Sequence, residues 1–188
     1  MQEQIRTQQT NRREMLKLSG MGVLGGVAAG ILVAGKVQAA DPVRVSYASW
    51  IHGHSLHVEY PDRIASERRA GFSISLTGKP GTSNWFRFAI PTPVIINDVR
   101  LRIDSAMLCF RTGSVDAFVR DVHVYDGMNL IAVHDGVNLS LDNLLTRFVV
   151  PNTPAIGMGL GISVGVGFGV ESMDHHIEFI SAGCDLVV

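Results

Sequence analysis

Residues 156–170 read IGMGLGISVGVGFGV, so a large apolar side chain alternates with glycine or serine. A period of two is typical of a β-strand, because successive side chains of a strand point to opposite faces of a sheet. One face of this strand is apolar and the other is nearly bare. At about 3.3 Å per residue the segment would span about 50 Å, so we expect a bend or bulge at one of its glycines.

The bare face of this segment has two interpretations. In the favoured one it lies under another layer or a large neighbouring side chain. In the other it forms a flat groove that admits a sugar ring or a partner's backbone. A phosphate-binding loop is excluded here, because these glycines open no helix and residues 156–170 contain no GxxxxGK[ST] or GxGxxG motif.

The rest of the chain after residue 40 consists of short β-prone runs separated by turn signals, with no amphipathic helical stretch of about 12 residues. We therefore predict an all-β fold: a single-domain antiparallel β-sandwich, jelly-roll-like, with about 9–11 short strands. The candidate strands are residues 43–50, 55–60, 71–77, 84–90, 98–104, 107–111, 117–125, 130–134, 145–150, 156–170 and 176–187.

The first 39 residues have the three-part layout of an export signal. A polar segment ends in the pair Arg12-Arg13, and a glycine-diluted apolar segment follows over residues 18–35. Val37-Gln38-Ala39 then provides small residues at the −3 and −1 positions of a cleavage site after Ala39. This leader resembles a twin-arginine (Tat) signal peptide, which implies export of a folded chain to the periplasm or beyond. A stable membrane span after cleavage is not expected. We assign residues 40–188 to the β-sandwich domain.

Charge excludes one class of partner. The whole chain has a net charge of −1, and the leader holds five of its 16 Lys and Arg but two of its 17 Asp and Glu. Residues 40–188 therefore carry a net charge of −4. Nucleic-acid binding depends on a basic patch that neutralises phosphates, so no nucleic-acid partner is expected.

The two cysteines, Cys109 and Cys184, each lie in an apolar strand-like run. An oxidising compartment would permit a disulfide between them. We favour two free thiols, because a twin-arginine substrate folds in the reducing cytoplasm before export.

Strand parity selects a set of candidate ligand-binding residues. Phe86 and Phe88 point to one side of their strand, which leaves Trp85 and Arg87 on the other. Trp50 is the second large aromatic platform of the domain. Tryptophan is highly buried on average, so burial of both rings is the favoured expectation. A site built from Trp50, Trp85 and Arg87 requires instead that the two rings are exposed together.

A histidine cluster is the best candidate metal site. Residues 52–59 read HGHSLHVE, in which His52 and His54 form an HxH pair and Glu59 supplies a carboxylate. Such a set, completed by His134, could bind a divalent ion such as iron, zinc or manganese. The favoured interpretation is polar residues on a surface loop and an edge strand, and no cofactor is predicted.

This cluster resembles part of the first cupin motif, and His134 with Asn138 resembles part of the second. The resemblance implies a metal-dependent enzyme. It is incomplete, because Ser46 and Ser66 stand where the motif has glycines and the PxG before its second histidine is missing.

Two similar five-residue segments, Asp126–Leu130 and Asp135–Leu139, each begin with Asp-Gly. Asp-Gly favours a tight turn, since a type I′ turn needs positive φ at both central positions. Calcium binding is the alternative, but the ligand pattern of an EF-hand is missing. No GxSxG motif and no pair of catalytic carboxylates stands out, so a non-catalytic protein is favoured and the metal-dependent enzyme stays open as an alternative.

Several motifs together resemble an uncharacterised bacterial family of small β-rich domains. They are Tyr47–Trp50, His52-Gly53, Val58–Pro61, Gly78–Phe86, Ile90–Pro93, Asp135–Asn138 and Glu178–Asp185. The resemblance covers nearly all of residues 40–188 and implies no reaction.

We conclude that the sequence favours an exported, non-catalytic β-sandwich that binds a glycan or a protein surface. Two alternatives remain: a cupin-like metal-dependent enzyme, and a structural protein that assembles into a homo-oligomer through its edge strands.

Overall fold

The computed structural model describes residues 44–171 and 173–188. The predicted signal peptide, residues 1–39, lies outside this part. Thirteen strands occur in the described residues, ten of them at least six residues long. They are β1 (Tyr47–His52), β2 (His57–Val58), β3 (Ile64–Ala70), β4 (Ser73–Gly78), β5 (Ser83–Ile90), β6 (Ile95–Ile96), β7 (Val99–Arg100), β8 (Arg102–Thr112), β9 (Ala117–Asp126), β10 (Asn129–His134), β11 (Asp142–Val149), β12 (Leu160–Phe168) and β13 (His176–Val187). Two short 3-10 turns, Gly53–Ser55 and Pro61–Arg63, flank β2.

The strands form two main antiparallel sheets. Sheet A has the order β11-β8-β13-β4-β3, and β1 also pairs with β13. Sheet B has the order β10-β9-β12-β5-β2, and β6 pairs with β7 alone. The chain crosses between the two main sheets after β1, β2, β4, β8, β10, β11 and β12, and it returns from β5 of sheet B to β8 of sheet A by way of β6 and β7. The predicted all-β, jelly-roll-like sandwich is confirmed.

The core lies between the two sheets and is centred on Phe179 of β13. Its ring centroid is 5.1 Å from that of Phe86 and 5.6 Å from that of Phe88, both on β5 of the opposite sheet. Phe110 of β8 lies 6.5 Å away within sheet A. All four rings are buried. The predicted parity of β5 is therefore confirmed, and it places Trp85 and Arg87 on the outer face of sheet B.

Several strand boundaries differ from the predictions. Residues 64–70 form β3, which we did not predict, because its sequence IASERRA lacks apolar alternation at an exposed sheet edge. The predicted strands 98–104 and 107–111 are largely one strand, β8. The glycine-alternating segment is regular only over β12, and residues 156–159 lead into it as a loop.

The two cysteines are free thiols on opposite faces of sheet A. Cys184 is buried among the core side chains, whereas Cys109 is half-buried and pairs in register with Ser181. Three residues of strand separate Ser181 from Cys184, about 10 Å, which exceeds the span of a disulfide. Burial raises the pKa of the Cys184 thiol to about 12.

None of the helical turns among the described residues is long and apolar enough to cross a membrane.

Candidate functional site

The outer face of β12 is bare in sequence, but one half of it is covered by neighbouring side chains. A Cβ added at Gly165 would lie 3.1 Å from Trp85, and one at Gly167 would lie 2.6 Å from the ring of Phe118. A Cβ added at Gly169 would overlap with the carboxylate of Asp116. The glycines at the C-terminal end of the segment therefore make room for large neighbouring side chains, as the favoured interpretation predicted.

The other half of this face is open. A Cβ added at Gly161 would have its nearest contacts at 4.0 Å, and one at Gly159 would meet none of the described atoms within 4 Å. A groove of about 540 Å³ lies over this half. Its lining residues are His57, Arg87, Phe88, Ala89, Tyr125, Gly127, Met128, Gly159, Leu160, Gly161, Ile162 and Ser163.

The pairing of the strands sets the two walls of the groove. Gly161 of β12 lies opposite Ala89 of β5 on one side and Tyr125 of β9 on the other. In the next row Ser163 lies between Arg87 and His123. The backbone of β12 therefore forms the floor of the groove, with Arg87 on one side and Tyr125 on the other. The strands that carry these two residues, β5 and β9, are two strand spacings apart, about 10 Å.

An ion pair holds the arginine wall in place. Both Nε and Nη2 of Arg87 donate to Oε2 of Glu59, at 3.1 and 2.5 Å. This contact holds the pKa of Glu59 below its usual value and raises the pKa of Arg87. His57 of β2, opposite Arg87 in register, extends the same wall and is exposed.

The opposite wall ends at a buried carboxylate that orders the loop before β12. Asp126 accepts hydrogen bonds from the backbone N–H groups of Gly157, Met158 and Gly159, at 2.6, 2.8 and 2.9 Å. Burial alone would raise the pKa of Asp126, but these three donors together lower it below its usual value. The adjacent hairpin residue Met128 is 90% exposed and overhangs the groove.

Two rings pack against each other at a tilt on the Gly165 side of the groove. The rings of Trp85 and His123 have their centroids 5.0 Å apart. Nε2 of His123 lies 2.7 Å from Oδ1 of Asp135, in the loop after β10. The first Asp-Gly segment forms the predicted tight turn at Gly127, whereas the second forms a bend at Gly136; both glycines have positive φ. The carboxylates of the two segments contact separate protein partners, so the structure does not bring them to one calcium site.

The electrostatic character of the groove follows from these contacts. Among lysine, arginine, aspartate and glutamate, Arg87 is the one residue in the groove lining, and Glu59 compensates its charge. The groove therefore presents hydrogen-bonding groups and the ring of Tyr125, with its one arginine paired to a carboxylate.

The three predicted ligand-binding residues do not share one surface. Arg87 lines the groove, and Trp85 is half-buried next to it on the outer face of sheet B. Trp50 is 41% exposed on the outer face of sheet A, where its ring covers Gly183 of β13. The expected burial of Trp50 is wrong, and a joint Trp50–Trp85 site is not formed, because β1 joins sheet A and β5 joins sheet B.

The four predicted metal ligands are not brought together either. His52 and His54 have their ring centroids 4.4 Å apart, but Nε2 of His54 lies within hydrogen-bonding distance of the carbonyl oxygens of Ala70 and Ser73. Glu59 is paired with Arg87.

His134 lies on β10, at the opposite edge of sheet B from β2, with three strands between. Across residues 44–171 and 173–188, no group of three or more His, Cys, Asp or Glu side chains is placed to hold a metal ion. The metal site predicted from His52, His54, Glu59 and His134 is therefore not formed.

Sequence reasoning missed Tyr125, His57 and Met128 as groove residues. Tyr125 was placed in a predicted strand, and its parity with His123 points both side chains to one face. The missing information was that β9 and β5 flank β12, which no local pattern reveals.

The fold is similar to several solved structures of low sequence identity. A low-affinity xylan-binding module from the gut symbiont Roseburia intestinalis is 14% identical with a TM-score of 0.46, over 74% of this chain and 96% of that one. A family 29 carbohydrate-binding module from Piromyces equi is 12% identical, with a TM-score of 0.39 over 73% and 90% of the two chains. A cyclase from Fischerella sp. TAU is 9% identical, with a TM-score of 0.43 over 72% and 87%. These similarities are low and transfer neither a ligand nor a reaction.

No curated protein matches this sequence. The model of a family of unknown function matches residues 44–187, which is nearly the whole of the described part. The resemblance to a family of small domains without an assigned function is thereby confirmed. The chain belongs to the family of unknown function DUF6623.

Proposed function

We propose that this domain is a non-catalytic binding module that holds a neutral glycan chain in the groove over Gly159–Ser163. The observation that carries the proposal is the exposed backbone floor between Tyr125 and the Glu59–Arg87 pair. A volume of about 540 Å³ lies within the usual range of small-ligand sites.

The chemistry of a sugar ring matches these walls. A pyranose has an apolar face of C–H groups and a rim of hydroxyls, so it is held by a flat aromatic ring together with planar polar side chains. Tyr125 provides the aromatic ring, with a hydroxyl at its tip. The guanidinium of Arg87 provides several N–H donors in a fixed fork, and Glu59 keeps that fork in one orientation.

The balance of charge favours a neutral ligand. An acidic chain would compete with Glu59 for Arg87, and a basic chain would meet no free carboxylate in the groove lining. Burying an unpaired charge is costly, so uncharged hydroxyl groups are the better complement to this lining.

We also propose that the domain reaches its ligand outside the cytoplasm, through the twin-arginine-like leader of residues 1–39. The support is the pattern of Arg12-Arg13, the glycine-rich apolar segment and the small residues before Ala40.

A glycan array with three variants tests the groove. Tyr125→Ala removes the aromatic wall, and Gly161→Val fills the floor at a position where an added Cβ has its nearest contacts at 4.0 Å. Gly71→Val is the matched control, because an added Cβ there meets none of the described atoms within 4 Å and the residue lies in the β3–β4 turn of sheet A.

We expect wild type and Gly71→Val to bind the same neutral glycans, and both groove variants to lose at least about tenfold in affinity. If wild type binds no glycan, or if Gly161→Val binds as wild type does, the proposal is wrong. Capture of a protein through the same groove would identify the other class of partner.

Assembly through edge strands is a second candidate function. In the described part, β10 and β11 each form one edge of a main sheet, opposite the edges formed by β2 and β3. They carry exposed apolar side chains at Leu130, Val133, Leu144, Leu145 and Val149. Unprotected edges of this kind favour strand pairing between copies. Light scattering over a range of concentrations tests it, and a monomer at every concentration would exclude it.

A further inference from the structure

A second channel lies between the edge strands β2 and β3. It has a volume of about 470 Å³. Its lining residues are Leu56, His57, Val58, Pro61, Ile64, Ala65, Ser66, Glu67 and Arg69. His57 is the residue that lines both this channel and the groove.

The second channel, like the groove, has an Arg–Glu ion pair beside apolar groups. Nε of Arg69 donates to Oε1 of Glu67 at 2.8 Å, and Nη1 donates to the carbonyl oxygen of His54 at 2.6 Å. Both residues of this pair are exposed, with 48% and 40% of their side chains accessible. Apolar side chains on and around β2, including Leu56 and Val58, complete the lining.

The two cavities share a lining residue, His57. β2 has two residues, and its exposed residue His57 stands between the pair Glu59–Arg87 and the pair Glu67–Arg69. One Arg–Glu ion pair therefore lies on each side of His57, and within each pair the two charges compensate each other. An extended chain can contact both pairs in turn without meeting an unpaired acid or arginine in either lining.

We propose that one extended neutral oligosaccharide occupies the groove and the second channel together, passing over His57. This inference rests on the proposed function and specifies its ligand: a linear chain long enough to reach both Arg–Glu pairs, in place of a single sugar or a chain end. Affinity then increases with chain length until the second channel is filled.

Calorimetric titration with a length series tests this inference. The ligands are neutral β-1,4-linked gluco-, xylo- and manno-oligosaccharides of two to six residues. The variant Arg69→Ala removes the charged pair of the second channel, and Ala65→Trp narrows that channel. Arg68→Ala is the matched control, because Arg68 is also an exposed arginine of β3 and does not line the channel.

For wild type and Arg68→Ala we expect the hexasaccharide of the recognised series to bind about tenfold more tightly than the trisaccharide. Arg69→Ala and Ala65→Trp should bind the trisaccharide as tightly as wild type does, and they should bind the hexasaccharide no more tightly than the trisaccharide.

Equal affinities for trisaccharide and hexasaccharide in wild type, or unchanged hexasaccharide binding by both channel variants, would overturn the inference and leave the groove as the whole site. Wild type that binds no member of any series would overturn the proposed function together with it.

Discussion

The indole of Trp85 occupies the space where a side chain at Gly165 would lie: an added Cβ would be 3.1 Å from its Cη2 atom. Gly165 of β12 pairs in register with Trp85 of β5 on one side and with Asp121 of β9 on the other. Side chains from both neighbouring strands therefore occupy the space over Gly165. The same strand is open four residues earlier, at Gly161, and this contrast delimits the groove.

The two glycines should respond differently to the same substitution. Gly165→Val forces Trp85 and Asp121 aside, so we expect the free energy of unfolding to fall by about 1–3 kcal/mol. Gly161→Val places its side chain in the open groove and should leave stability unchanged or slightly improved, because valine favours strands. Urea denaturation of both variants measures this. Equal destabilisation of the two would contradict the division of β12 into a covered and an open half.

The carboxylate of Asp126 should make stability depend on pH. Its folded-state pKa is lowered, because three backbone N–H donors outweigh the effect of burial. The stabilisation is therefore present above the unfolded pKa, about 4, and is lost as pH falls through the lower folded pKa. We expect Asp126→Asn to lower the free energy of unfolding at pH 7 by about 1–3 kcal/mol and to flatten its decline in acid.

Asp135→Asn is the control for this prediction, because 64% of the Asp135 side chain is exposed. It should change stability by less than about 0.5 kcal/mol. An Asp126→Asn protein with the stability and acid response of wild type would show that the three backbone donors do not stabilise the loop.

The two thiols should react at different rates. Burial raises the pKa of Cys184 to about 12, so its thiolate is scarce in the native protein, whereas Cys109 is half-buried. With a disulfide-exchange reagent at pH 8 we expect one equivalent to react first, lost in Cys109→Ser and kept in Cys184→Ser. In denaturant both thiols should react. Denatured protein without titratable thiols would instead reveal a disulfide.

The leader should direct export through its arginine pair. We expect the double variant Arg12→Lys, Arg13→Lys to remain uncleaved in the cytoplasm, because the twin-arginine pattern needs both arginines. Arg6→Lys, six positions before the pair, should be exported normally. Immunoblots of fractionated cells follow both. Export of the double variant at the wild-type level would exclude this route.

Local patterns predicted the sandwich well because burial alternates along its central strands. Phe86 and Phe88 are buried and Arg87 is exposed, as a period of two requires. The edge strand β3 has no such pattern, since five of its seven residues are exposed. Charged residues on β3 protect this open edge from pairing with another chain. The same charged residues leave β3 without the apolar alternation by which a strand is predicted.

The candidate site was less predictable, because it depends on which strands are neighbours. Glu59 follows β2 and pairs with Arg87 only because β2 joins β5 at the edge of sheet B. The same topology separates Trp50 from Trp85. Asp126 holds a loop 31 residues further along the chain, which no short motif encodes. The sequence identified some of these residues as candidates for a site. Which residues they contact depends on the order of the strands in the sheets.

Chemical-shift mapping by NMR gives the decisive test of the groove. The protein labelled with ¹⁵N is titrated with the tightest-binding neutral oligosaccharide from the length series. We predict that the largest amide shifts occur at Gly159–Ser163, Arg87 and Tyr125, and that the amides of Trp50 and Gly183 on sheet A stay unchanged. Shifts that cluster around Trp50 and Gly183, or no shifts with any of these sugars, would contradict the assignment of the groove as a glycan site.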